Sequence, residues 1–195
     1  MSKVFSGLTA DTAKHLQLDA GMLIKNYDKS KDYEGNKANI VGATAGGGSF
    51  SAVPTIRQVE VDGKKGSVKG FQVIDEWVVT LTENVKEITA NTLKMSLAAA
   101  DVTSAEAPAG GYTSIKGRSD IQDADYLENV AWVGKLSGAE QPVIIILYNA
   151  LATNGLALTF ADKAEAVIPM TLTGHYDLSD LETPPFEILY PPVTL

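Results

Sequence analysis

The 195-residue chain contains no cysteine, which excludes disulfide bonds, thiolate metal sites and a thiol nucleophile. It has only two histidines, His15 and His175, which lack the helical spacing that presents two imidazoles to one metal ion. Long apolar runs are missing too, since the longest covers residues 143–147 and is far too short to span a bilayer. We therefore expect no metal, no other cofactor and no membrane contact, in a soluble protein made in the cytoplasm.

Positive charge is scarce as well. The chain has 16 lysines and arginines against 24 aspartates and glutamates, which gives a formal net charge of −8. Proteins that grip nucleic acid use basic surfaces, so this balance argues against that class but not against a protein that DNA merely passes. With 45% hydrophobic and 21% charged residues, the chain has ample material for a core, and its length suits one domain.

Motifs of catalysis are absent from the sequence. The glycine run at residues 46–48 fails as a dinucleotide-binding motif, because Ser51 stands where G-x-G-x-x-G needs its third glycine. We predict that this run forms a turn. His175 precedes Tyr176 and Asp177, but no G-x-S-x-G elbow supplies a nucleophile, so we expect a strand histidine that is hydrogen-bonded locally. The sequence thus indicates a protein that is not an enzyme.

Alternating apolar and polar residues predict a mainly β chain. The clearest strand is predicted over residues 77–85, and Thr89 is predicted to cap one short α-helix from about residue 90 to 99. Residues 143–147 are apolar on both faces, which suits a strand buried on both sides, either under the helix or under a neighbouring subunit. Further strands are predicted at residues 22–27, 38–41, 50–53, 55–61, 112–116, 130–136, 156–160, 166–176 and 186–190.

Three other stretches have features of loops or edges. Residues 28–37 carry mixed charges and predict a loop that is mobile until something pairs with it, and residues 100–125 predict a long loop around one short strand. Pro169 has no backbone N–H, so it belongs at a bulge or at a strand edge that another subunit can use. Lys64 and Lys65 mark a hairpin tip, which is either solvated or in contact with an acidic patch of an adjoining subunit.

Two long stretches carry a resemblance to a known family. They are residues 42–97, which begin GATAGGGSFS and end ANTLKMSL, and residues 129–177, which begin NVAWVGKLSG and end LTGHYD. Both resemble the major tail tube proteins of long-tailed phages and the tailocin tubes related to them, and the likeness extends over most of the chain from about Leu18. It implies one domain over residues 1–195, with a β-sandwich or barrel-like fold and long assembly loops.

The resemblance also implies how such a domain assembles. Tube proteins form rings, usually six-fold, that stack through a long loop after the first strand, the N-terminal arm and the C-terminal segment. The matching positions are residues 28–37, 1–20 and 183–195, and deleting residues 28–37 is expected to leave the sandwich folded but to block stacking. The candidate interface residues, with the hairpin tip and the edge proline, are Asp28, Lys29, Lys31, Asp32, Tyr33, Glu34, Lys64, Lys65 and Pro169.

The partners implied by the resemblance are further copies of the chain, a tape-measure protein, and tail tip and terminator proteins. DNA would pass through the lumen without specific binding, and the protein would reside in the virion tail after assembly in the cytoplasm of a bacterial host. A β-sandwich carbohydrate-binding module stays open as the alternative. It would need exposed aromatic residues on one face, for which Tyr33, Tyr112 and Tyr126 are the loop candidates.

Overall fold

A computed structural model describes residues 7–104 and 110–193 of the protein. These residues form a mainly β, sandwich-like fold with two short α-helices, α1 (Tyr33–Asn36) and α2 (Ala90–Ser96). Three short 3-10 helices cover Thr12–His15, Lys37–Asn39 and Asp123–Asp125. The strands are β1 (Met22–Lys25), β2 (Ser49–Gln58), β3 (Gln72–Val85), β4 (Ala100–Ser104), β5 (Thr113–Gly117), β6 (Leu127–Gly134), β7 (Val143–Ala152), β8 (Ile168–Thr173) and β9 (Phe186–Leu189).

Two layers of strands share β7. Its first half pairs with β6 on one side and β9 on the other, and β1 extends this layer beyond β6. Near Asn149, whose φ is +47°, the strand bends, and Leu151 and Ala152 then pair with β8, which leads on to β3 and β2. The strand order is β1-β6-β7-β8-β3-β2 with β9 as a branch, and within the described residues the layers do not close into a barrel.

The main core lies between these two layers. Period-2 alternation turns one face of each strand inward, so that Val79, Leu81 and Val85 of β3 meet residues from β7 and β8. Full burial of each large side chain contributes about 1.5–3 kcal/mol. The fully buried members of this core are Leu23, Val79, Val85, Val130, Leu147, Ala150 and Ile168, and Val41, Leu81, Ala152, Met170 and Leu172 are nearly so.

A second apolar cluster covers the opposite face of the layer that contains β1, β6 and β7. Ile24 and Ile146 belong to it, and Tyr27 and Ile40 pack over them from the two ends of the segment that follows β1. In the apolar run of β7, Ile146 and Leu147 are buried on opposite faces and residues 143–145 are half-buried, so the predicted burial on both faces is confirmed at the end of the run. Both covers come from this chain itself, one from the opposite layer and one from residues 27–40.

Several predicted elements differ from those observed. Residues 38–41 do not form a strand but contain the 3-10 helix Lys37–Asn39, followed by a single bridge from Ile40 to Ile24. Residues 156–160 form no strand. The predicted loop over residues 100–125 contains the β4–β5 ribbon. Its second strand is the one predicted at residues 112–116, shifted by one residue, whereas β4 was not predicted because its apolar alternation is weak.

Helix α2 begins where the sequence places its cap. Thr89 Oγ1 accepts the backbone N–H of Thr92 at 3.1 Å, and Thr92 Oγ1 accepts that of Thr89 at 2.8 Å, which satisfies two of the first backbone donors. The helix ends at Ser96, three residues earlier than predicted. No helix within residues 7–104 and 110–193 is both long and apolar enough to cross a membrane.

Candidate assembly surface

The N-terminal segment, residues 1–20, packs against its own chain over the residues that the structure describes. Leu18 donates its backbone N–H to Lys135 O at 3.2 Å, and Gly138 donates to Lys14 O at 2.8 Å. The Trp132 indole N–H donates to Ala20 O at 2.9 Å. The turn after β6 therefore binds residues 14–20 within the chain, and because Leu16 and Leu18 keep exposed side chains, contact of this segment with a neighbour stays a prediction. Residues 1–6 lie outside the described residues.

Residues 28–37 are folded rather than mobile. Asn36 is 1% exposed and holds the segment together, since its side-chain oxygen accepts the Asp28 N–H at 2.8 Å and its amide group donates to the carbonyls of Asp28 and Asp32. Asp32 caps α1 by accepting the Gly35 N–H at 3.0 Å. The segment also joins Tyr27 to Ile40, which cover the second cluster. Its deletion would remove the link between these two residues, and the expectation of an intact sandwich after deletion stays a prediction.

Several predicted interface residues of this segment are engaged within the chain. Asp28 accepts two hydrogen bonds from Ser30 and pairs with Lys31 at 3.0 Å, and these bonds lower the pKa of Asp28 to about 2. Lys29 Nζ contacts Glu187 at 2.8 Å and the Tyr148 hydroxyl at 3.2 Å, which fastens the segment to β7 and β9. Burial, followed by the bond to Glu187, raises the pKa of Tyr148.

The remaining two candidates of this segment are exposed. Tyr33 and Glu34 face solvent on α1, where Glu34 makes a long ion pair of 3.7 Å with Lys37. The C-terminal segment is also partly internal, because β9 pairs with β7, and residues 194–195 lie outside the described residues. Residues 28–37, residues 14–20 and β9 are thus bound within the chain, while most side chains of residues 14–20 and 28–37 remain exposed, so stacking through them stays a prediction.

Pro169 stands at a strand edge, as predicted, but the edge is already filled. Its partner on β3 is Asn84, and on the other side β7 has ended. There the side chain of Asn154 replaces the missing strand, donating to Pro169 O at 2.7 Å and accepting the Thr171 N–H at 2.9 Å. Pro169 therefore does not mark an edge that another subunit can use.

The longest open edge among the described strands is the outer side of β2. This strand pairs with β3 on one side, and no described strand pairs with its other side. Pro54 lies opposite Trp77, whose backbone N–H donates to the Tyr176 hydroxyl away from β2 at 2.8 Å. The backbone of Pro54 therefore points to the open edge, where a missing N–H breaks no bond within the sheet. For this reason β2 runs through Pro54 as one strand, whereas two were predicted.

The distal half of the β2–β3 hairpin projects beyond the sandwich. We call residues 53–78 the arm. Two cross-strand apolar pairs, Val53–Val78 and Ile56–Ile74, lie on opposite faces of this ribbon, and each member is between 49% and 57% exposed. Exposed apolar side chains on both faces of a ribbon make it a candidate surface for contact with another molecule. The exposed apolar residues of the arm are Val53, Ile56, Val61, Val68, Phe71, Val73, Ile74 and Val78.

The lysines at the tip of the arm differ in their contacts. Lys64 folds back, with its ammonium donating to Val59 O at 3.0 Å and pairing with Glu60 at 3.3 Å, so that its side chain is 8% exposed. Lys64 therefore stabilises the turn rather than a partner. Lys65 and Lys69 are exposed, and neither forms an ion pair with any residue in the described ranges.

The outward face of β2, β3 and β8 near the body is rich in hydroxyl groups. The core-facing residues alternate with hydroxyl residues, and Ser49 Oγ and Thr82 Oγ1 are 2.7 Å apart across two strands. The register aligns the hydroxyl residues across the three strands, and this part of the face carries no charged side chain. Its residues are Ser49, Ser51 and Val53 on β2, Val78, Thr80, Thr82 and Asn84 on β3, and Pro169, Thr171 and Thr173 on β8.

The groups considered for chemistry have structural contacts. His175 Nδ1 lies 2.9 Å from Asn149 O, and the His175 ring packs edge-on against Tyr126 with centroids 5.2 Å apart. This confirms the prediction of local hydrogen bonding, although His175 follows the end of β8. Among the described residues no three histidine, aspartate or glutamate side chains are grouped to hold a metal ion. Tyr33 lies on α1, Tyr112 just before β5 and Tyr126 just before β6.

Comparison with models of protein families finds no match for the chain, and no curated protein is significantly similar to it. The arm is a candidate functional surface because its apolar side chains are exposed. Its signal was present in the sequence, because Phe71, Val73, Ile74 and Val78 place apolar groups on both faces of one strand. Without a structure this pattern does not distinguish a buried strand from an exposed one.

Proposed function

We propose that the protein is a non-enzymatic tail tube subunit of a phage or related particle, which assembles into stacked rings around a conduit for DNA. The observation that carries this proposal is the arm, which exposes eight large apolar side chains next to a ten-residue open strand edge. The likeness of residues 42–97 and 129–177 to tube proteins suggests that the assembly consists of stacked rings. The edge of β2 and the arm are the surfaces that we propose for it.

The open edge of β2 favours association with further copies of the chain. Unpaired backbone groups along an edge strand pair readily with another strand, and a closed ring satisfies every such edge without open-ended aggregation. Pro54 removes one donor from this edge, which restricts the registers in which a neighbour can pair. Asn154 fills the margin of β8, and Ile40 and Val41 bind the outer side of β1, so we place the ring contact on β2, whose open edge is the longest among the described strands.

We assign the contact between rings to the arm instead of residues 28–37. Residues 28–37 are held by Asn36 and Lys29, whereas the arm projects from the body and keeps its apolar side chains exposed. Burying about half of each exposed side chain of the arm would offer apolar stabilisation of about 25 cal/mol per Å² of buried area. Lys65 and Lys69 at the tip give this contact a basic end, which suits a chain of net charge −8.

The face of hydroxyl residues suits the lining of the conduit. It is polar, it carries no charge, and it belongs to the strands next to the open edge. A polyanion would meet no basic group on it, so DNA could pass without specific binding. The proposal therefore orients this face to the bore and the second apolar cluster, with residues 27–40, to the outside.

Negative-stain microscopy of concentrated purified protein tests the proposal. We expect rings or tubes of uniform bore, and we expect Ile74→Lys to abolish them because it places a charge in the apolar surface of the arm. Val102→Lys is the matched control, since Val102 is 42% exposed on the β4–β5 ribbon outside the arm. A wild-type protein that stays monomeric at high concentration contradicts the proposal. Glycan binding by that monomer would favour the carbohydrate-binding alternative.

A further inference from the structure

A buried carboxylate lies on the core face of β3. Glu83 is 2% exposed and occupies the inward position between Leu81 and Val85, where the alternation of the strand calls for an apolar residue. Neither Oε1 nor Oε2 has a hydrogen-bond partner among the described residues. An ionised carboxylate in such a place is costly unless it is paired, so the neutral acid is strongly favoured while the site stays closed.

The glycine run covers this carboxylate. Residues 46–48 form a wide bulge between two points where the chain is bound to β3, the Ala45 N–H to Asn84 O at 2.9 Å and Ser49 Oγ to Thr82 Oγ1 at 2.7 Å. A Cβ on Gly48 would lie 2.2 Å from the Thr82 carbonyl oxygen and 2.5 Å from Glu83 Oε1, so the backbone of β3 and the carboxyl both require glycine there. Gly48 itself is exposed, and the run therefore separates the carboxyl from solvent by a single layer of backbone.

Few contacts hold the bulge closed. Gly46 and Gly47 adopt φ values of +79° and +72°, which glycine accepts at little cost, and the Asn84 side chain donates to Gly47 O at 3.1 Å. Two anchored ends with glycines between them can open without disturbing the ladders on either side. The sequence predicted a sharp turn at these residues, whereas the structure shows a bulge in the line of β2.

Within residues 7–104 and 110–193, Glu83 forms no ion pair, and the charged residue that lines a cavity with Gly47 and Gly48, Asp19, is itself acidic. Just after β3, Lys86 pairs with Glu165 and Glu87 accepts the Ala43 N–H. On β2, Arg57 pairs with Asp75 at the far end of the strand, and β8 carries no charged residue. Burial raises the pKa of the Glu83 carboxyl, and the nearby backbone N–H of Asn84 lowers it by less.

We propose that Glu83 and residues 46–48 form a protonation-dependent latch at the start of β2. With the carboxyl neutral, the glycine run stays closed over it, and with the carboxyl ionised the run opens so that water can reach the charge. The latch belongs to the single chain and goes beyond the proposed assembly. Its consequence is that the order of the first residues of the open edge depends on pH.

The sign of the dependence follows from linkage. Because the pKa of Glu83 is raised in the closed state, closure is fully favoured below the ordinary value of 4.5 and is lost as the pH rises through the raised value. Between these two values the open population should grow by up to about tenfold per pH unit, and above the raised value it should level off. The same linkage predicts that wild-type protein unfolds more easily as the pH rises through this window.

Amide hydrogen exchange at residues 46–49 tests the latch, with wild type and Glu83→Gln compared at each pH from 4 to 8 in dilute, monomeric protein. The ratio of the two rates removes the intrinsic effect of pH on exchange. We expect this ratio to rise with pH and then level off, because the carboxyl of Glu83 can ionise while the amide that replaces it in the variant cannot. Glu76→Gln makes the same change at an exposed position of β3 and should behave as wild type.

A ratio that is constant across the pH range would overturn the latch. Should Glu83→Gln fail to fold, a carbon-13 titration of the Glu83 carboxyl in the wild-type protein decides instead. A midpoint clearly above 4.5 together with a parallel rise in exchange at residues 46–49 supports the latch, and a midpoint at or below 4.5 refutes it. Microscopy of assembled material bears on the proposed function and leaves this result unchanged, so the two can fail separately.

Discussion

The sandwich body and the arm are made from the same two strands, yet their apolar side chains have different surroundings. On β3, Val79, Leu81 and Val85 are at most 2% exposed, whereas Val73, Ile74 and Val78 are between 41% and 50% exposed. In the body, folding buries the apolar face of these strands. In the arm it leaves the apolar side chains exposed on both faces, which is the basis of the proposed contact between rings.

The largest effect on folding should come from the body. We expect Leu147→Ala to lower the free energy of unfolding by about 2–5 kcal/mol, because Leu147 is fully buried between the layers and its loss leaves a cavity. Urea denaturation followed by circular dichroism measures the change. Val78→Ala on the exposed base of the arm is the control and should change it by about 0.5 kcal/mol or less. Equal losses for the two variants would contradict the distinction between body and arm.

A smaller effect is expected from the segment that follows β1. Asn36→Ala should cost about 1–3 kcal/mol, because it leaves the Asp28 N–H and nearby carbonyls without their buried partner. Asn39→Ala removes a single longer bond, of 3.3 Å to Asn26 O, and should cost clearly less. The same denaturation experiment compares them. A neutral Asn36→Ala would show that residues 28–37 are not a built part of the body.

The ion pair that fastens this segment should contribute less again. Lys29→Met removes the contact with Glu187 at 2.8 Å, but Lys29 is about half exposed, so we expect a loss of about 1 kcal/mol or less that shrinks at high salt. Lys65→Met, which removes an exposed lysine of the arm, is the control. A loss that does not respond to salt would indicate that packing of the lysine stem on Tyr148 matters more than charge.

Substitutions of exposed apolar residues should have the smallest effect on folding, and the one in the arm should have the largest effect on assembly. Ile74→Lys and Val102→Lys replace exposed side chains, so each should change the free energy of unfolding by about 0.5 kcal/mol or less. Only Ile74→Lys should prevent association, which analytical ultracentrifugation of each variant against wild type can measure. Should both variants assemble as wild type does, the apolar surface of the arm has no part in association.

Local patterns predicted the body well. The alternation of Trp77, Val79 and Leu81 marked β3, and Thr89 marked the start of α2, because in both cases a few neighbouring residues determine the structure. The failures depend on partners distant in sequence. Leu18 binds Lys135, and Lys29 binds Glu187, and no local spacing contains these contacts.

The candidate assembly residues were harder to predict for the same reason. Charge and polarity suggested residues 28–37 as a free loop, but the buried amide of Asn36 turns that polar segment into part of the fold. Pro169 signalled an edge correctly, while the occupation of that edge by Asn154 depends on where β7 ends. In the arm the apolar residues were visible in the sequence, and their exposure was not.

The sharing of β7 between both layers has a mechanical consequence. A pull on β2 passes through β3 and β8 to the end of β7, and from there along one continuous backbone to β6 and β9. The two layers cannot slide past each other without tearing ladder hydrogen bonds on both sides of the bend at Asn149. A wall built from such units would resist shear through covalent chain rather than through side-chain packing alone.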